Sequence, residues 1–271
     1  MVRNNMRTIQ HKDYSTKDRL FFVGDIHGHY KLFKDALEVL QIGKSDQVVA
    51  VGDLIDRGEQ SLQTLTHFLY ADNCDSVLGN HDHFMVKTLA GKRMHMSDAS
   101  LWYYNGGAWS LSENTEMLKG LAKAVDEAFP VLMLIEYKGT KVAVSHAEIP
   151  TNCIKEAKRR LAPITANVAT ADDLQLLCDQ QKFKEEFLWG RSKIYAEEDN
   201  VVAGVDLTVH GHTVTFDKPG DPALPIQKGN QIFLDTGSVF NGGRLTFAEL
   251  IDGELQYHQF WFDIDGELQV L

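Results

Sequence analysis

The segment RLFFVGDIHG (19–28) is the most informative about the fold, because a short apolar run there ends in a Gly-Asp pair. The same arrangement recurs in QVVAVGDLIDRG (47–58), and a third apolar run leads into GNHD in DSVLGNHD (75–82). Apolar residues at helical spacing separate the runs, at 33–40 and 62–69. Strands that alternate with helices are typical of βαβ units, in which ligands bind at the carboxyl ends of parallel strands. We therefore predict an α/β fold with its functional site at one edge of a sheet.

The composition is that of an ordinary folded protein, and it limits the possible partners. Of 271 residues, 44% are hydrophobic and 24% are charged, and 27 Lys and Arg against 38 Asp and Glu give a formal net charge of −11. This charge argues against a broad nucleic-acid-binding surface, which requires Lys and Arg. No stretch approaches the ~18 unbroken apolar residues of a membrane span. We expect neither nucleic acid nor a membrane as partner.

The N-terminal segment and the cysteines predict the compartment. Residues 1–18 are polar and lack the apolar core of a secretory signal, and three cysteines are few and odd in number. Free thiols are typical of a reducing compartment. We expect a cytoplasmic protein with a single domain over 1–271, in which 1–18 form a flexible lead-in or a sheet edge.

Farther along the chain, the pattern predicts further regular elements around one irregular segment. Residues 91–115 are aromatic and Gly-rich, which favours an insertion or lid near the site rather than a regular element. The pattern then predicts helices near 116–128 and through the 170s, strands at 131–137 and 141–145, and a loop at 217–230. After 231 the chain is strand-rich, and the repeated IDGELQ (251–256 and 264–269) predicts hairpin turns in a β-meander.

Six short clusters offer ligands for metal ions: GDIHG (24–28), GDLIDRG (52–58), GNHD (79–82), SHAE (145–148), LWGRS (188–192) and HGHT (210–213). Carboxylates, an amide oxygen and imidazoles without cysteine suit Mn, Fe or Zn. The groups suffice for two ions, which can share a carboxylate and a water. Asp53 is the natural bridge, because it follows the middle strand of the first three.

With these clusters in place, the chain resembles the phosphoprotein phosphatase family of metallophosphoesterases. It is most similar to the bacterial and phage branch typified by the bacteriophage lambda serine/threonine phosphatase. The resemblance runs from about residue 19 to 250 and includes WYYNGGAW (102–109) and LDTGSVF (234–240). It implies an αββα sandwich of two mixed sheets flanked by helices, the calcineurin-like fold, with a dinuclear site at the carboxyl edge.

The resemblance also implies roles for ten residues. It implies Asp25, His27 and Asp53 as ligands of one metal, and Asp53, Asn80, His146 and His212 as ligands of the other. It implies His81 as general acid, held and charge-stabilised by Asp56, and Arg57 and Arg191 as donors to the phosphoryl oxygens. The planar fork of arginine suits such an oxyanion. The chain departs from the family pattern at two positions. Asp82 stands where Glu is frequent in the family, and Glu148 stands where relatives often carry another residue.

The function that the resemblance implies is hydrolysis of phosphomonoesters, and first of all phosphoserine or phosphothreonine in proteins and peptides. A hydroxide held by two metal ions would attack phosphorus directly, with Mn²⁺ the expected ion and Fe or Zn the alternatives. A dinucleoside-polyphosphate hydrolase or phosphodiesterase of the same superfamily remains an alternative, although Val214 stands where diesterases typically carry the second histidine of Gly-His-x-His. A degenerate binding module would lack a ligand or His81, and none is missing.

Two further patterns bear on the site. Cys153 and Arg159 have the spacing of cysteine-dependent tyrosine phosphatases, but CIKEAKR (153–159) lacks the glycine of a phosphate-binding loop and predicts the start of a helix. The aromatic residues of WYYNGGAW either wall the pocket or pack the insertion onto the core. The sequence leaves these two interpretations of the insertion open.

Overall fold

The computed structural model describes residues 8–90, 96–162, 171–216 and 222–271, and within them twelve strands form two six-stranded sheets. The first sheet has the strand order β1 (Ile9–Asp13), β5 (Leu132–Tyr137), β6 (Thr140–Val144), β7 (Leu207–His210), β9 (Gln231–Phe233) and β8 (Ile226–Lys228). The second has the order β12 (Leu268–Val270), β11 (Glu254–Phe262), β10 (Leu245–Ile251), β2 (Leu20–Val23), β3 (Gln47–Ala50) and β4 (Cys74–Ser76).

Both sheets are mixed. Strands β2, β3 and β4 are parallel, as the sequence predicts, while β10 runs antiparallel to β2. In the first sheet, β6, β7 and β9 are parallel and β5 runs antiparallel to β6. The described residues also form these helices: α1 (Tyr30–Val39), α2 (Ser61–Tyr70), α3 (Asn80–Leu89), α4 (Met96–Tyr104), a 3₁₀ helix (Gly107–Ser112), α5 (Thr115–Ala128), α6 (Ile154–Leu161) and α7 (Ala171–Trp189).

The side-chain alternation of the strands divides the core into two layers. Leu20 and Phe22 of β2 are in the cluster that packs the sheets face to face, together with Val144 of the first sheet. Phe21 lies on the opposite face of β2, in the cluster that includes the helices. There the Phe33 ring of α1 lies 5.9 Å from that of Phe247. Successive residues of a strand point to opposite faces, so a strand buried on both faces is apolar throughout. The αββα sandwich predicted from the resemblance is confirmed.

Several local predictions need correction. Of the two alternatives for residues 1–18, the flexible lead-in is wrong and the sheet edge is met for residues 9–13, which form the edge strand β1 paired with β5; residues 1–7 lie outside the described part. Within the predicted irregular segment 91–115, Met96–Tyr104 and Gly107–Ser112 are helical, and residues 91–95 lie outside the described part. The predicted loop at 217–230 contains β8, and residues 217–221 of that loop lie outside the described part. The meander is formed by β10, β11 and β12 alone, because β9 pairs in the other sheet.

Other predictions are met. The CIKEAKR segment begins α6, as the sequence predicts. The first IDGELQ copy forms the tight turn between β10 and β11. No helix among the described residues is long and apolar enough to cross a membrane.

Candidate metal centre

The turns that follow five strands bring six predicted ligands to one edge of the sandwich. Asp25 and His27 follow β2, Asp53 follows β3, Asn80 opens α3 after β4, His146 follows β6 and His212 follows β7. All six side chains are buried. The two sheets meet directly in this cluster, because the backbone N–H of His212 donates to Asp25 Oδ2 at 3.1 Å. The site is therefore built from both layers of the fold.

Asp53 is central to the cluster. Its Oδ1 lies 3.4 Å from His146 Nε2, and its Oδ2 lies 3.6 Å from His27 Nε2. Two triplets of buried groups have ligand atoms within 4.8 Å of one another: Asp25, Asp53 and His146, and His27, Asp53 and His81. Asp53 is the member that both triplets share. This is the position that a bridging carboxylate requires.

Hydrogen bonds fix which nitrogen of two imidazoles is free to bind a metal. His27 Nδ1 lies 2.9 Å from the carbonyl oxygen of Ile55, and His146 Nδ1 lies 2.8 Å from that of Val51. A carbonyl oxygen only accepts, so Nδ1 of each ring carries the proton. The Nε2 atom of each ring faces Asp53 and is the nitrogen that would bind a metal ion. Donation from the second ring nitrogen to a carbonyl is typical of histidines that bind metals.

His212 gives a separate indication that a cation fits here. Its Nδ1 lies 2.9 Å from Asn80 Oδ1, to which His146 Nε2 also approaches at 2.7 Å. Its Nε2 is buried and has no hydrogen-bond partner among the residues that the structure describes. A buried polar atom without a partner costs free energy, and a metal ion would satisfy it.

Buried negative charge is concentrated at the same edge. Burial, with the nearby charges of Asp235 and Asp53, raises the pKa of Asp25 well above its usual range. Burial acts to raise the pKa of Asp53 too, but the imidazoles of His146 and His81 outweigh it and hold that pKa well below the usual range. Buried carboxylates are stabilised by pairing or by coordinating metals. The donor set and the charge therefore fit divalent cations.

The backbone at the site adopts a conformation that residues other than glycine rarely take. Positive φ values occur at five of the ten predicted site residues: His27 (47°), Asp53 (50°), Asp56 (75°), Arg57 (71°) and His212 (68°). Such left-handed conformations are uncommon for non-Gly residues and cluster at functional sites. The turns also approach one another closely, because a Cβ on Gly79 would lie 2.1 Å from the Asp53 nitrogen.

His81 and Asp56 form a buried pair beside the cluster. His81 Nδ1 lies 2.8 Å from Asp56 Oδ2, and its Nε2 lies 3.0 Å from Arg57 Nη2 and 4.0 Å from Asp53 Oδ2. Burial raises the pKa of Asp56, and hydrogen bonds from His81, Trp109 and Trp102 oppose the increase. The pair thus directs the second ring nitrogen of His81 towards the predicted metal ligands.

The two predicted phosphate-binding arginines are exposed and border the buried cluster. Arg57 Nη1 also contacts His27 Nε2. Arg191 Nη1 donates to Thr213 Oγ1 at 3.1 Å, beside His212. The loop that carries Arg191 is fastened by buried Glu148, which accepts from Ser192 Oγ and from the backbone N–H of Lys193, both at 2.8 Å.

Two further carboxylates at this edge, those of Asp82 and Asp235, are buried and are not among the ten residues to which the resemblance gives a role. Asp82 accepts from the backbone N–H groups of Gly79 at 3.1 Å and Leu54 at 3.2 Å, and so ties together the turns that carry Asn80 and Asp53. Asp235 lies in LDTGSVF, and burial raises its pKa to about 6. Its position after the strand β9 was the available indication, since ligands of such folds follow strands.

Comparisons with known proteins agree with this geometry. The profile of the calcineurin-like phosphoesterase family matches residues 19–216. The chain is 30% identical over 240 residues to serine/threonine-protein phosphatase 2 of Escherichia coli, covering 85% of this chain and 92% of that protein. It is also 30% identical over 183 residues to a symmetrical bis(5'-nucleosyl)-tetraphosphatase of Shewanella baltica, covering 65% of this chain and 62% of that protein.

Among solved structures, a serine/threonine phosphatase from Saccharomyces cerevisiae aligns with a TM-score of 0.56 at 12% identity, covering 96% of this chain and 86% of that chain. A cold-active protein tyrosine phosphatase aligns with a TM-score of 0.55 at 15% identity, covering 100% and 83%. These two alignments concern the fold alone. Together with the family profile, the sequence relatives settle the class: the chain belongs to the calcineurin-like phosphoesterase family. It is a hydrolase of the metallophosphoesterase superfamily with a candidate metal site.

Proposed function

We propose that this protein removes phosphate from phosphoserine or phosphothreonine in proteins. The observation that carries the proposal is the His81–Asp56 pair, whose second ring nitrogen, Nε2, faces the cluster around Asp53 beside Arg57. An alkoxide leaving from serine or threonine is strongly basic and needs a proton as it departs. A histidine held in place by a buried carboxylate is suited to supply it.

The donor set names the residues that would hold the cofactor. We assign Asp25, His27 and Asp53 to one divalent ion, and Asp53, Asn80, His146 and His212 to the other, with Mn²⁺ as the activating ion. When bound, the two ions would lower the pKa of a water that attacks phosphorus and would neutralise charge on the phosphoryl oxygens. The Nε2 atoms of His27 and His146, which face Asp53, and the buried Nε2 of His212, which has no hydrogen-bond partner among the described residues, support this assignment.

The remaining residues bind the phosphoryl group and move a proton. Arg57 and Arg191 donate to the phosphoryl oxygens, since a guanidinium presents two parallel N–H groups to such an oxyanion. As general acid, His81 would carry a proton on each ring nitrogen, donating the Nδ1 proton in a hydrogen bond to Asp56 and transferring the Nε2 proton to the departing oxygen. Asp56 holds the ring and stabilises the imidazolium without taking the proton itself.

The main competing substrate is a dinucleoside polyphosphate. A nucleotide leaves as a weakly basic phosphate and gains little from a general acid, so the His81–Asp56 pair favours the phosphomonoester. The matches favour the same choice, because the phosphatase relative is covered over 92% of its length and the tetraphosphatase over 62%. The three free cysteines, Cys74, Cys153 and Cys178, support a cytoplasmic location as part of the proposal.

Steady-state kinetics on a substrate panel tests the proposal. The panel contains phosphoserine, phosphothreonine and phosphotyrosine peptides, a phosphodiester and diadenosine tetraphosphate, each with Mn²⁺, Fe²⁺, Zn²⁺ and Mg²⁺. We expect the highest kcat/KM for the phosphoserine or phosphothreonine peptide with Mn²⁺. A higher value for diadenosine tetraphosphate or for the diester would overturn the assignment. A preference for phosphotyrosine would keep the monoesterase and reject the serine/threonine specificity.

A further inference from the structure

Two tryptophan side chains hydrogen-bond to the carboxylate of Asp56. Both come from residues 96–112, in the described part of the segment that the sequence predicts as an insertion. Trp102 of α4 donates from Nε1 to Asp56 Oδ2 at 2.9 Å and to Oδ1 at 3.0 Å, and Trp109 of the 3₁₀ helix donates to Oδ1 at 2.8 Å. Asp56 is fully buried. With His81 on Oδ2, both oxygens have fixed donors, so the carboxylate cannot rotate without breaking a hydrogen bond.

The same segment also supports the backbone beneath this carboxylate. The backbone N–H of Arg57 donates to the carbonyl oxygen of Gly106 at 3.3 Å, and a Cβ on Gly106 would lie 2.8 Å from that nitrogen. Asp56 and Arg57 are consecutive residues with positive φ, of 75° and 71°. A turn with two such residues persists only where the surrounding structure holds it. The segment thus contacts both the side chain and the backbone at this turn.

The two indoles differ in what else they do. Trp102 is fully buried in the helix-side core, so its ring contributes packing as well as a hydrogen bond. Trp109 is partly buried and packs against that core with its ring perpendicular to Trp102, at a centroid distance of 6.3 Å. Its N–H can therefore be removed with smaller loss of packing. Trp109 is the residue at which a hydrogen-bonding role can be separated from a packing role.

We propose that Trp102 and Trp109 are positioning residues for proton donation to the leaving group, acting on His81 through Asp56. The inference rests on the proposed function, because it assigns to the inserted segment a part in that same step. Both indoles pack onto the helix-side core, which is one of the two interpretations left open by the sequence, and the hydrogen bonds to Asp56 add the positioning role. Tyr104 of the same motif is 91% exposed and takes no part in this contact.

The test compares Trp109→Phe with Trp261→Phe. Trp261 is a partly buried tryptophan of β11 whose ring lies against Arg244, at 4.4 Å from the guanidinium carbon. For Trp109→Phe we expect kcat on a phosphoserine peptide to fall about tenfold, the scale of one hydrogen bond to a charged group. On p-nitrophenyl phosphate, whose leaving group needs little protonation, we expect a change below about twofold. Trp261→Phe should leave both rates unchanged.

A double-mutant cycle with Asp56→Asn identifies the path of the effect. If Trp109 acts through the Asp56 carboxylate, the loss on the phosphoserine peptide caused by Trp109→Phe should shrink strongly in the Asp56→Asn background. Trp102→Phe should show the same substrate dependence, with a melting temperature measured to account for its buried ring. Equal losses on both substrates, or full additivity with Asp56→Asn, would overturn the inference.

The variant His81→Asn distinguishes failure of the positioning role of the indoles from failure of the proposed function. A loss for His81→Asn that depends on the leaving group, beside a Trp109→Phe loss that does not, rejects only the role of the indoles. A His81→Asn loss that is equal for both substrates rejects the general acid, and the indole proposal falls with it.

Discussion

At the scale of single residues, the site depends on side chains held in backbone conformations that cost free energy. A non-Gly residue in the left-handed region costs on the order of 1–3 kcal/mol. His27, Asp53 and His212 all adopt it, and each carries a predicted ligand. The strained conformation occurs at residues whose buried side chains belong to the cluster around Asp53. Substitutions that leave the backbone in place therefore test individual roles.

The bridging position of Asp53 leads to the first prediction. Asp53→Asn should reduce kcat more than Asn80→Asp at saturating metal, because loss of the Asp53 charge weakens both proposed metal positions. Asn80→Asp keeps an oxygen ligand and adds charge to one position only. The measurement is kcat with bound metal counted for each variant. Mild and equal losses for the two variants would argue against the bridge.

The position of His81 leads to the second prediction. His81→Asn should lower kcat about 10²–10⁴-fold on a phosphoserine peptide and much less on p-nitrophenyl phosphate, because a general acid matters most for a basic leaving group. Its metal content should equal that of the wild type. His11→Asn is the matched control, since His11 is an exposed residue of β1. Loss of a metal with His81 would instead make it a ligand, as its place in one buried triplet allows.

At the scale of elements, apolar runs identify the central strands, and side-chain chemistry identifies the turns after them. Strands β2 and β3 could be predicted because they are buried on both faces and therefore read as continuous apolar segments. Helix α3 could not, because its first turn, Asn80 to His83, carries site residues rather than an apolar face. Edge strand β1 also escaped clear assignment, since its half-exposed IQHKD sequence has little apolar character.

In the candidate site, too, the residues in recognisable motifs could be predicted, and those without a distinctive local pattern could not. The ten residues implied by the resemblance come together at one edge, and their motifs made that expectation possible. Asp82 and Asp235 did not stand out, because a lone carboxylate has no distinctive sequence and only tertiary packing makes it buried. The contacts of Trp102 and Trp109 with Asp56 span 46 and 53 residues, which no local pattern reports.

Two glycine substitutions should differ in their effects, because Gly79 lies where two turns pack closely and Gly120 lies at an exposed helix position. A Cβ on Gly79 would lie 2.1 Å from the backbone nitrogen of Asp53 and 2.3 Å from Asp53 Oδ1, whereas a Cβ on Gly120 of α5 would meet no atom of a described residue within 4 Å. Gly79→Ala should force the turns apart and reduce kcat by about 10²-fold or more, since a misplacement near 1 Å can have that effect. Gly120→Ala should stabilise the exposed helix position by about 0.5–1 kcal/mol and leave kcat unchanged.

Thermal unfolding and kinetics on the two variants check this pair. Wild-type activity in Gly79→Ala would show that the turns can move apart freely. A lower melting temperature for Gly120→Ala would contradict the helical environment of residue 120.

At the scale of the whole molecule, the site exists only when both sheets are packed together. The hydrogen bond from His212 to Asp25 joins residues 187 apart in sequence. Asp25 follows a strand of the second sheet and His212 follows one of the first. Local order in either half of the fold cannot assemble the ligands, so we expect the metal centre to be lost together with the global fold.

Buried His210 predicts a pH dependence of stability. Its Nε2 lies 2.8 Å from Thr208 Oγ1, and burial lowers its pKa from 6.5 to about 4. The folded state therefore favours the neutral ring, and its contribution to stability is complete above pH 6.5 and is lost as the pH falls towards 4. Between pH 7 and pH 5 the wild type should lose about 2 kcal/mol more unfolding free energy than His210→Asn.

Denaturant unfolding in the presence of a chelator measures this difference without a contribution from metal release. The raised pKa values of Asp82, about 7, and Asp235, about 6, act in the opposite sense, but they are common to both proteins. Parallel pH profiles for wild type and His210→Asn would contradict the buried neutral ring.

The number of metal ions in the active protein tests the central claim most directly. The account predicts two divalent ions per chain in protein that hydrolyses a phosphoserine peptide, with activity abolished by chelation and restored by Mn²⁺. The reason is one shared carboxylate, Asp53, with enough further ligands for two positions. Elemental analysis of fully active protein that found one ion per chain, or none, would contradict the account.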